Sequence, residues 1–290
     1  MENILFLLLC TAPIIIPAGL FPLIQYRLSS KSRLPIDYAQ YLRIPGFSLL
    51  TELKSLQFDV IAYVGLSVTL TLIPFAQMGM YALFNREYKP LIFTAAITLL
   101  IVGWLVVKIA KNFKRLQSIR LGLEAEWAVA SELGQIREPN VTVFHDVQGD
   151  NFNIDHVITS PNGIIAIETK GRRKPNSSSK EKSYRVTLKN DSLHFPHLTD
   201  TNTIPQAQRQ AKWLRETLLS ATGEQNNVTP VVVIPGWFIE HKTKPSVLIW
   251  PLKKLRENYR YGMKQNIAAE QLQRVNHQLS ILCQRNSDKF

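Results

Sequence analysis

Cysteine is scarce in this chain, with two residues in 290, Cys10 and Cys283. No disulfide framework and no cysteine-rich zinc site can be built from such a pair, and the scarcity fits a reducing compartment for the soluble part. Internal repeats are missing, which sets aside solenoids and arrays. Charge is missing from three long apolar runs, Ile4–Ile24, Val60–Phe84 and Leu91–Val107. At ~1.5 Å rise per residue, a helix over each run crosses most of a ~30 Å hydrocarbon core. Basic residues are missing at the very start, where only Glu2 is charged, so the first run does not read as a cleaved leader. It does carry Pro13, Pro17 and Pro22, so two or three spans are expected.

What is present on the flanks of these runs is basic. Arg27, Lys31, Arg33, Arg43 and Lys54 lie between the first two, Arg86 and Lys89 between the last two, and Lys108, Lys111, Lys114, Arg115 and Arg120 after the third. By the positive-inside rule, residues 108–290 belong in the cytosol beneath an inner or plasma membrane, with either span count. Residues 1–107 hold 7 basic and 5 acidic side chains, which leaves net +10 of the total +12 on residues 108–290. Such a domain attracts anionic lipid or a polyanion such as DNA or RNA. Leu49, Leu50, Leu53 and Leu56 recur at helical spacing and predict a short helix at Phe47–Leu56, lying in the interface or packed under the spans.

Beyond the spans the patterning is mixed α/β. Leu116, Ile119, Leu123, Trp127, Ala130 and Leu133 predict one apolar helix stripe with Glu126 at its border, ended by Gly134. Val141–Val147 alternates as a strand. Tyr184–Leu188 and Leu193–Phe195 predict a hairpin after a basic loop, Arg172–Lys182. A helix begins near Pro205 with Thr203 as its expected cap and carries Gln206 and Gln210. Short strands follow at Val231–Ile234 and Val247–Trp250, and residues 252–284 read as helical, with Ile267, Leu272, Val275, Leu279 and Leu282 buried.

The stretch from Asn153 to Lys170 carries the chemistry. Ser160-Pro161-Asn162-Gly163 is turn sequence between β-branched flanks. If Ser160 faces Gly163, then Asp155 faces Glu168 across the hairpin, and Lys170 shares their face by the two-residue period of a strand. A one-residue bulge at Gly163 would instead set Asp155 opposite Thr169. Two facing carboxylates beside a buried core call for a compensating cation. Asp155 and Glu168, with the carbonyl of Thr169 and with Glu126 reaching from the helix, are the expected ligands of Mg²⁺ or Mn²⁺. Lys170 would hold or deprotonate the attacking water, and Gln206 would orient water or phosphate. Arg172, Arg173 and Lys174 follow directly and are the expected nucleic-acid contacts. His145 and His156 read as structural, and Trp213 and Trp250 as core.

These blocks, in order, resemble the NERD (nuclease-related) domain of the PD-(D/E)xK nuclease superfamily. The matching residues are Gly122-Leu-Glu-Ala-Glu126, Asn153-Ile154-Asp155-His156-Val157, Pro161-Asn162-Gly163-Ile164, Ile167-Glu168-Thr169-Lys170-Gly171 and Ile204-Pro205-Gln206, with Ala125 where many relatives carry glycine. The resemblance implies an α/β, restriction-endonuclease-like mixed-sheet core (αβββαβ) behind two or three transmembrane helices. It also implies a Mg²⁺-dependent phosphodiesterase site with Glu126, Asp155, Glu168, Lys170 and Gln206 in the catalytic positions.

The expected organisation is a membrane region at 1–107, a basic linker helix at 108–119, the nuclease-like domain at 120–250 and a helical extension at 251–290. The expected function is DNA phosphodiester hydrolysis at the membrane. The competing readings are a catalytically silent nucleic-acid-binding or sensor module on the same fold, and a scaffold for anionic lipid. No oligomeric state follows from the sequence.

Overall fold

The computed structural model describes residues 41–84, 89–175, 184–261 and 265–284, together with Leu20, Leu23, Ile24 and Arg27. The expected first span lies outside the described residues apart from Leu20, Leu23 and Ile24, as do Lys180 and Lys182 of the basic loop. The chain divides into two compact units, one holding Leu53–Gln117, the other Tyr38–Glu52 and Ser118–Phe290.

Two long helices supply the first unit: α1 (Phe47–Phe84) and α2 (Lys89–Leu133). The charge-free runs at 60–84 and 91–107 fall within them, and both helices are long and apolar enough to cross a membrane. Phe58, Ile61, Phe75, Ile92, Leu99 and Leu100 are 71 to 75 % exposed. Each such side chain forgoes roughly 1.5–3 kcal/mol of burial, so a helix apolar all round is one built for lipid or for a partner. The hydroxyl of Thr94 donates to Gln77 Oε1 at 2.6 Å and ties the two helices together. Phe47–Leu56 is not a separate interfacial helix: it forms the opening turns of α1, because nothing in that stretch breaks the helix before Val60.

In the second unit, the end of α2 is followed by β1 (Thr142–Gln148), β2 (Asn153–Ser160), β3 (Gly163–Thr169), β4 (Arg185–Lys189), β5 (Ser192–His194), β6 (Thr199–Asp200), α3 (Thr203–Thr222), β7 (Val228–Val233), β8 (Phe238–His241) and β9 (Leu248–Trp250). Helices α4 (Leu255–Tyr261) and α5 (Ala269–Leu282) close the chain. The main sheet has the order β1-β2-β3-β7-β9. Its first two pairings are antiparallel and its last two parallel. Helix α2, strands β1 to β3, α3 and β7 therefore give the αβββαβ order of a restriction-endonuclease-like core. Strands β6-β5-β4-β8 form a second, smaller mixed sheet.

Alternation along β2 and β3 divides their residues between two helical layers. Val157, Ile164 and Ala166 pack with Leu214 and Leu218 of α3 and with Val275 and Leu279 of α5. Ile158, Ile165 and Ile167 pack with Val129 and Leu133 of α2 and with Leu255 and Tyr259 of α4. The C-terminal helices are thus part of the core, and Ile267, Leu272, Val275 and Leu279 are buried as the periodicity predicts.

The hairpin takes the register without a bulge. Ser160 faces Gly163, Ile158 faces Ile165 and His156 faces Ile167. Gly163 sits at φ 143°, a conformation other residues rarely adopt. The second hairpin turns on Asn190 and Asp191, both with φ near 50°, the two-residue turn whose twist matches paired strands.

Two local expectations are corrected. The buried stripe of α2 runs through Ile119, Leu123, Ala125, Glu126, Val129 and Leu133, while Trp127 is 46 % exposed. A carboxylate occupies a central position of the stripe, which displaced the apparent face by one residue. The α3 cap is also different. The N-cap position is Asn202, and Asp200 Oδ1 accepts from the Asn202 and Thr203 amides, both at 3.0 Å.

Gly171, just past β3, marks the closest approach of that strand to α2. A Cβ there would lie 2.7 Å from the Leu121 carbonyl oxygen and 3.1 Å from the Ala125 methyl, so Ala125 is accommodated because Gly171 has no side chain. Gly171→Ala should lower stability by about 1–3 kcal/mol through overpacking against backbone. Thermal melting of the detergent-solubilised chain checks this, and an unchanged midpoint would contradict it.

Candidate active site

The site lies where β2 and β3 part. Their ladder ends at His156 and Ile167. Beyond that point β2 stays paired with β1 through Asn153, and β3 with β7 through Thr169. Asp155 and Glu168 are the next residues on the two parting strands. In place of a backbone bond, the Thr169 amide donates to Asp155 Oδ2 at 2.6 Å. A side chain thus satisfies the donor that the parted ladder leaves over.

By strand parity both acids face α3, and that helix supplies a partner. Gln210 Nε2 donates to Glu168 Oε2 at 2.8 Å and to the Asn153 carbonyl at 3.1 Å. Lys170 Nζ stands 3.7 Å from Glu168 Oε1, on the expected face. Glu126, from the layer of α2, completes the acid group. Asp155, Glu168 and Glu126 are 7, 4 and 4 % exposed.

Burial raises the pKa of all three acids. Asp155 is held well above the ordinary aspartate range by burial first, then by the charges of Glu168 and Glu126. Glu126 is pushed up to about 8 by burial, then by Asp146 and Glu168. Glu168 is raised by burial against the opposing pull of Lys170 and Gln210. Lys170 is the nearby cation among the described residues, and one ammonium does not balance three buried carboxylates.

A divalent cation fits this arrangement. Asp155 has one oxygen held by the Thr169 amide and the other uncommitted, while Glu168 has one held by Gln210 and one near Lys170. Glu126 Oε2 is buried with no hydrogen-bond partner, an orphan acceptor that needs a proton, a water or a cation. Among the described residues no three His, Cys, Asp or Glu side chains form a ready metal cage. Asp155 and Glu168 could hold such a cation directly, each through the oxygen not taken by the Thr169 amide or by Gln210.

The structure draws together Glu126, Asp155, Glu168, Thr169 and Lys170. The helix glutamine that reaches the acids is Gln210, one turn beyond Gln206; both lie on one face at a spacing of four, and Gln210 is the buried one. Arg172 is committed elsewhere, donating to Asp200 Oδ2 at 2.5 Å at the start of α3. Arg173 and Lys174 are exposed, with Lys174 Nζ 6.0 Å from the Tyr184 ring centroid. His156 is buried on the opposite strand face, its Nδ1 2.8 Å from Nδ1 of His145, as structural histidines would be. Trp213 packs on Phe152 and donates to Asp150, and Trp250 is core.

One site residue escaped the sequence pattern altogether. Asp146 on β1 is fully buried, lies between the paired residues His145 and Val147, and is opposite Asp155. Its φ of 52° takes it out of strand alternation, and no periodicity marks that.

Fold and site together define the class: a restriction-endonuclease-like α/β domain with an acid–acid–lysine set at the parting of its central hairpin. Residues 121–235 match the family model of NERD, the nuclease-related domain, and the chain carries a nuclease-related domain over that stretch. Comparison with curated proteins and with solved structures returned no match.

The raised pKa values have a sign for stability. An acid whose folded pKa lies above its unfolded one stabilises the fold fully below the unfolded value, and that stability is lost as pH rises through the folded value. For Glu126 the window runs from 4.5 to about 8, and Asp155 and Glu168 act in the same direction. In EDTA the melting temperature should fall as pH rises through this window, and Glu126→Gln should flatten the fall. A melting temperature constant or rising from pH 5 to 8 would contradict the electrostatics.

Proposed function

We propose that this chain is a membrane-anchored, cytosol-facing nuclease that hydrolyses DNA phosphodiester bonds with Mg²⁺ or Mn²⁺. The observation that carries the reading is the Asp155–Glu168–Lys170 set. Two buried acids stand at a strand fork with an amine 3.7 Å from one of them. The Thr169 amide takes one oxygen of Asp155 and leaves the other uncommitted, while Gln210 takes one oxygen of Glu168 and Lys170 stands beside the other. A nuclease-related family match over 121–235 supports it.

Asp155 and Glu168 would hold the cation, with the Thr169 carbonyl as a further oxygen donor. When bound, the cation supplies polarisation of a phosphate oxygen and a water of lowered pKa. Lys170 holds the attacking water in line and offsets the charge that gathers on phosphate. Gln210 fixes Glu168 by spending both amide hydrogens, one on Glu168 and one on Asn153. Burial pushes the Glu126 carboxyl up to about 8, and a cation bound beside it would favour its ionised form. Arg173 and Lys174 lie just past the catalytic strand and supply phosphate contacts, in a stretch 108–290 of net charge +10.

The anchor is formed by α1 and α2, and the basic residues Lys108, Lys111, Lys114 and Arg115 orient the site toward the cytosol. On this reading the spans lie within 1–107, the linker is 108–119, and the nuclease-like domain of 120–250 shares its core with the helical segment that follows it.

The test is cleavage of single- and double-stranded DNA and of RNA by the full chain in detergent, with Mg²⁺, Mn²⁺ or EDTA. DNA should be cut only with metal. Asp155→Ala should reduce kcat by roughly 10²-fold or more, as losing a principal electrostatic group does. Lys170→Met should reduce it by about 10²–10⁴-fold while DNA binding persists. Equal cleavage by wild type and Asp155→Ala would refute the assignment. Salt-sensitive binding without cleavage would point to the silent binding module instead.

A further inference from the structure

Asp146 is a fourth buried acid next to the candidate site, and its partner comes from far away in the chain. Its carboxylate accepts from Arg43 at 2.9 Å, the Ser48 hydroxyl at 2.8 Å, the Ser48 amide at 3.3 Å and Asn153 Nδ2 at 2.9 Å. Arg43 and Ser48 lie in the strap Tyr41–Ser48 that runs into α1, well outside the nuclease-related match at 121–235. The Arg43 and Asp146 side chains are 6 and 0 % exposed.

The strap belongs to the same compact unit as the site and is bonded into it. The Arg43 amide donates to the Cys283 carbonyl at 2.8 Å, and Arg43 Nε to the Gln284 carbonyl at 3.3 Å. Trp127 Nε1 donates to the Pro45 carbonyl at 3.1 Å, which explains an exposed tryptophan next to a catalytic-site acid. Gly46 turns at φ 70° directly over α2. A Cβ there would lie 2.3 Å from Leu123 Cδ1 and 3.5 Å from Glu126 Oε2. Gly122 leaves room for Leu49, which would be 3.2 Å from a Cβ at that position.

From Asp146 the bonds continue to the catalytic glutamate. Asn153 is fixed by Asp146 through its side chain and receives Gln210 through its carbonyl. Gln210 spends its other hydrogen on Glu168. Arg43, Asp146, Asn153, Gln210 and Glu168 therefore form one connected line. A buried ion pair is poor value for stability alone, since apolar residues of like volume serve as well or better. Here the pair neutralises a fourth carboxylate beside three others and anchors the start of β2, from which Asp155 projects.

We propose that the strap Tyr41–Ser48 is a working part of the nuclease site, with Arg43 a positioning residue that acts through Asp146, Asn153 and Gln210 on Glu168. The proposal rests on the nuclease reading for its kinetic consequence, and on geometry alone for the relay. A domain cut at the limits of the family match lacks Arg43 and leaves Asp146 buried and unpaired.

The test uses the full chain in detergent with Mn²⁺ and a DNA substrate, below the melting temperature of the least stable variant. Arg43→Ala should lower kcat at least tenfold with KM within twofold, and Arg43→Lys should recover part of the loss. In an Asp146→Asn background, where the charge to be balanced is gone, Arg43→Met should cost less than threefold further. Hydrogen exchange followed by mass spectrometry reads the relay without reference to activity. Arg43→Ala should speed exchange at least fivefold in segments spanning 146–156 and 203–212, with 248–259 unchanged. Unchanged exchange in those two segments, or altered exchange with kcat unchanged, would overturn the proposal. If wild type cleaves no nucleic acid while the exchange effect is present, the nuclease reading fails and the relay stands.

Discussion

Three buried carboxylates whose charges act on one another, with one lysine beside Glu168, are the constraint on which the second unit turns. Placing Asp155, Glu168 and Glu126 in the interior opposes ionisation of each, and every neighbour of the group reads as a response to that cost. The Thr169 amide takes one oxygen of Asp155, Gln210 takes one of Glu168, and Lys170 stands by the other. What is left over is uncommitted oxygen on buried acids whose ionisation burial opposes. That is the demand a hard divalent cation meets, and it is why the site is read as one for metal-assisted phosphate chemistry.

The fold explains why the acids can be so close without unfolding the sheet. Strands β2 and β3 separate after His156 and Ile167, while each stays paired on its outer side, so the notch opens within a sheet that is otherwise continuous. Helix α3 brings Gln210 to one face and the end of α2 brings Glu126 from the other layer. Close backbone approach at Gly171 sets the distance between β3 and α2. Apolar packing of Ile165, Ile167, Val129 and Leu133 then holds that distance within the same layer.

Much of this is legible in the amino-acid sequence. Turn chemistry at Ser160–Gly163 and alternation on both sides set the register, and the register alone placed Asp155, Glu168 and Lys170 on one face. What could not be read is instructive. Gln206 and Gln210 share a helix face, and only the depth of α3 against the sheet selects Gln210 as the one that reaches Glu168. Trp127 looked like stripe because Glu126 occupies an apolar position, and a pattern of hydrophobicity has no symbol for a buried acid. Arg172 looked free to meet phosphate, but its partner Asp200 is 28 residues away. Asp146 and Arg43 are separated by 103 residues, and a contact of that range leaves no local trace.

The central claim is that Asp155 and Glu168 are a metal site, and the most direct measurement is anomalous diffraction from crystals of the full chain grown with Mn²⁺. The account predicts a single strong anomalous peak between the carboxylates of Asp155 and Glu168, lost in crystals of Asp155→Ala. Manganese bound elsewhere with that position empty, while both carboxylates keep the arrangement described, would contradict it.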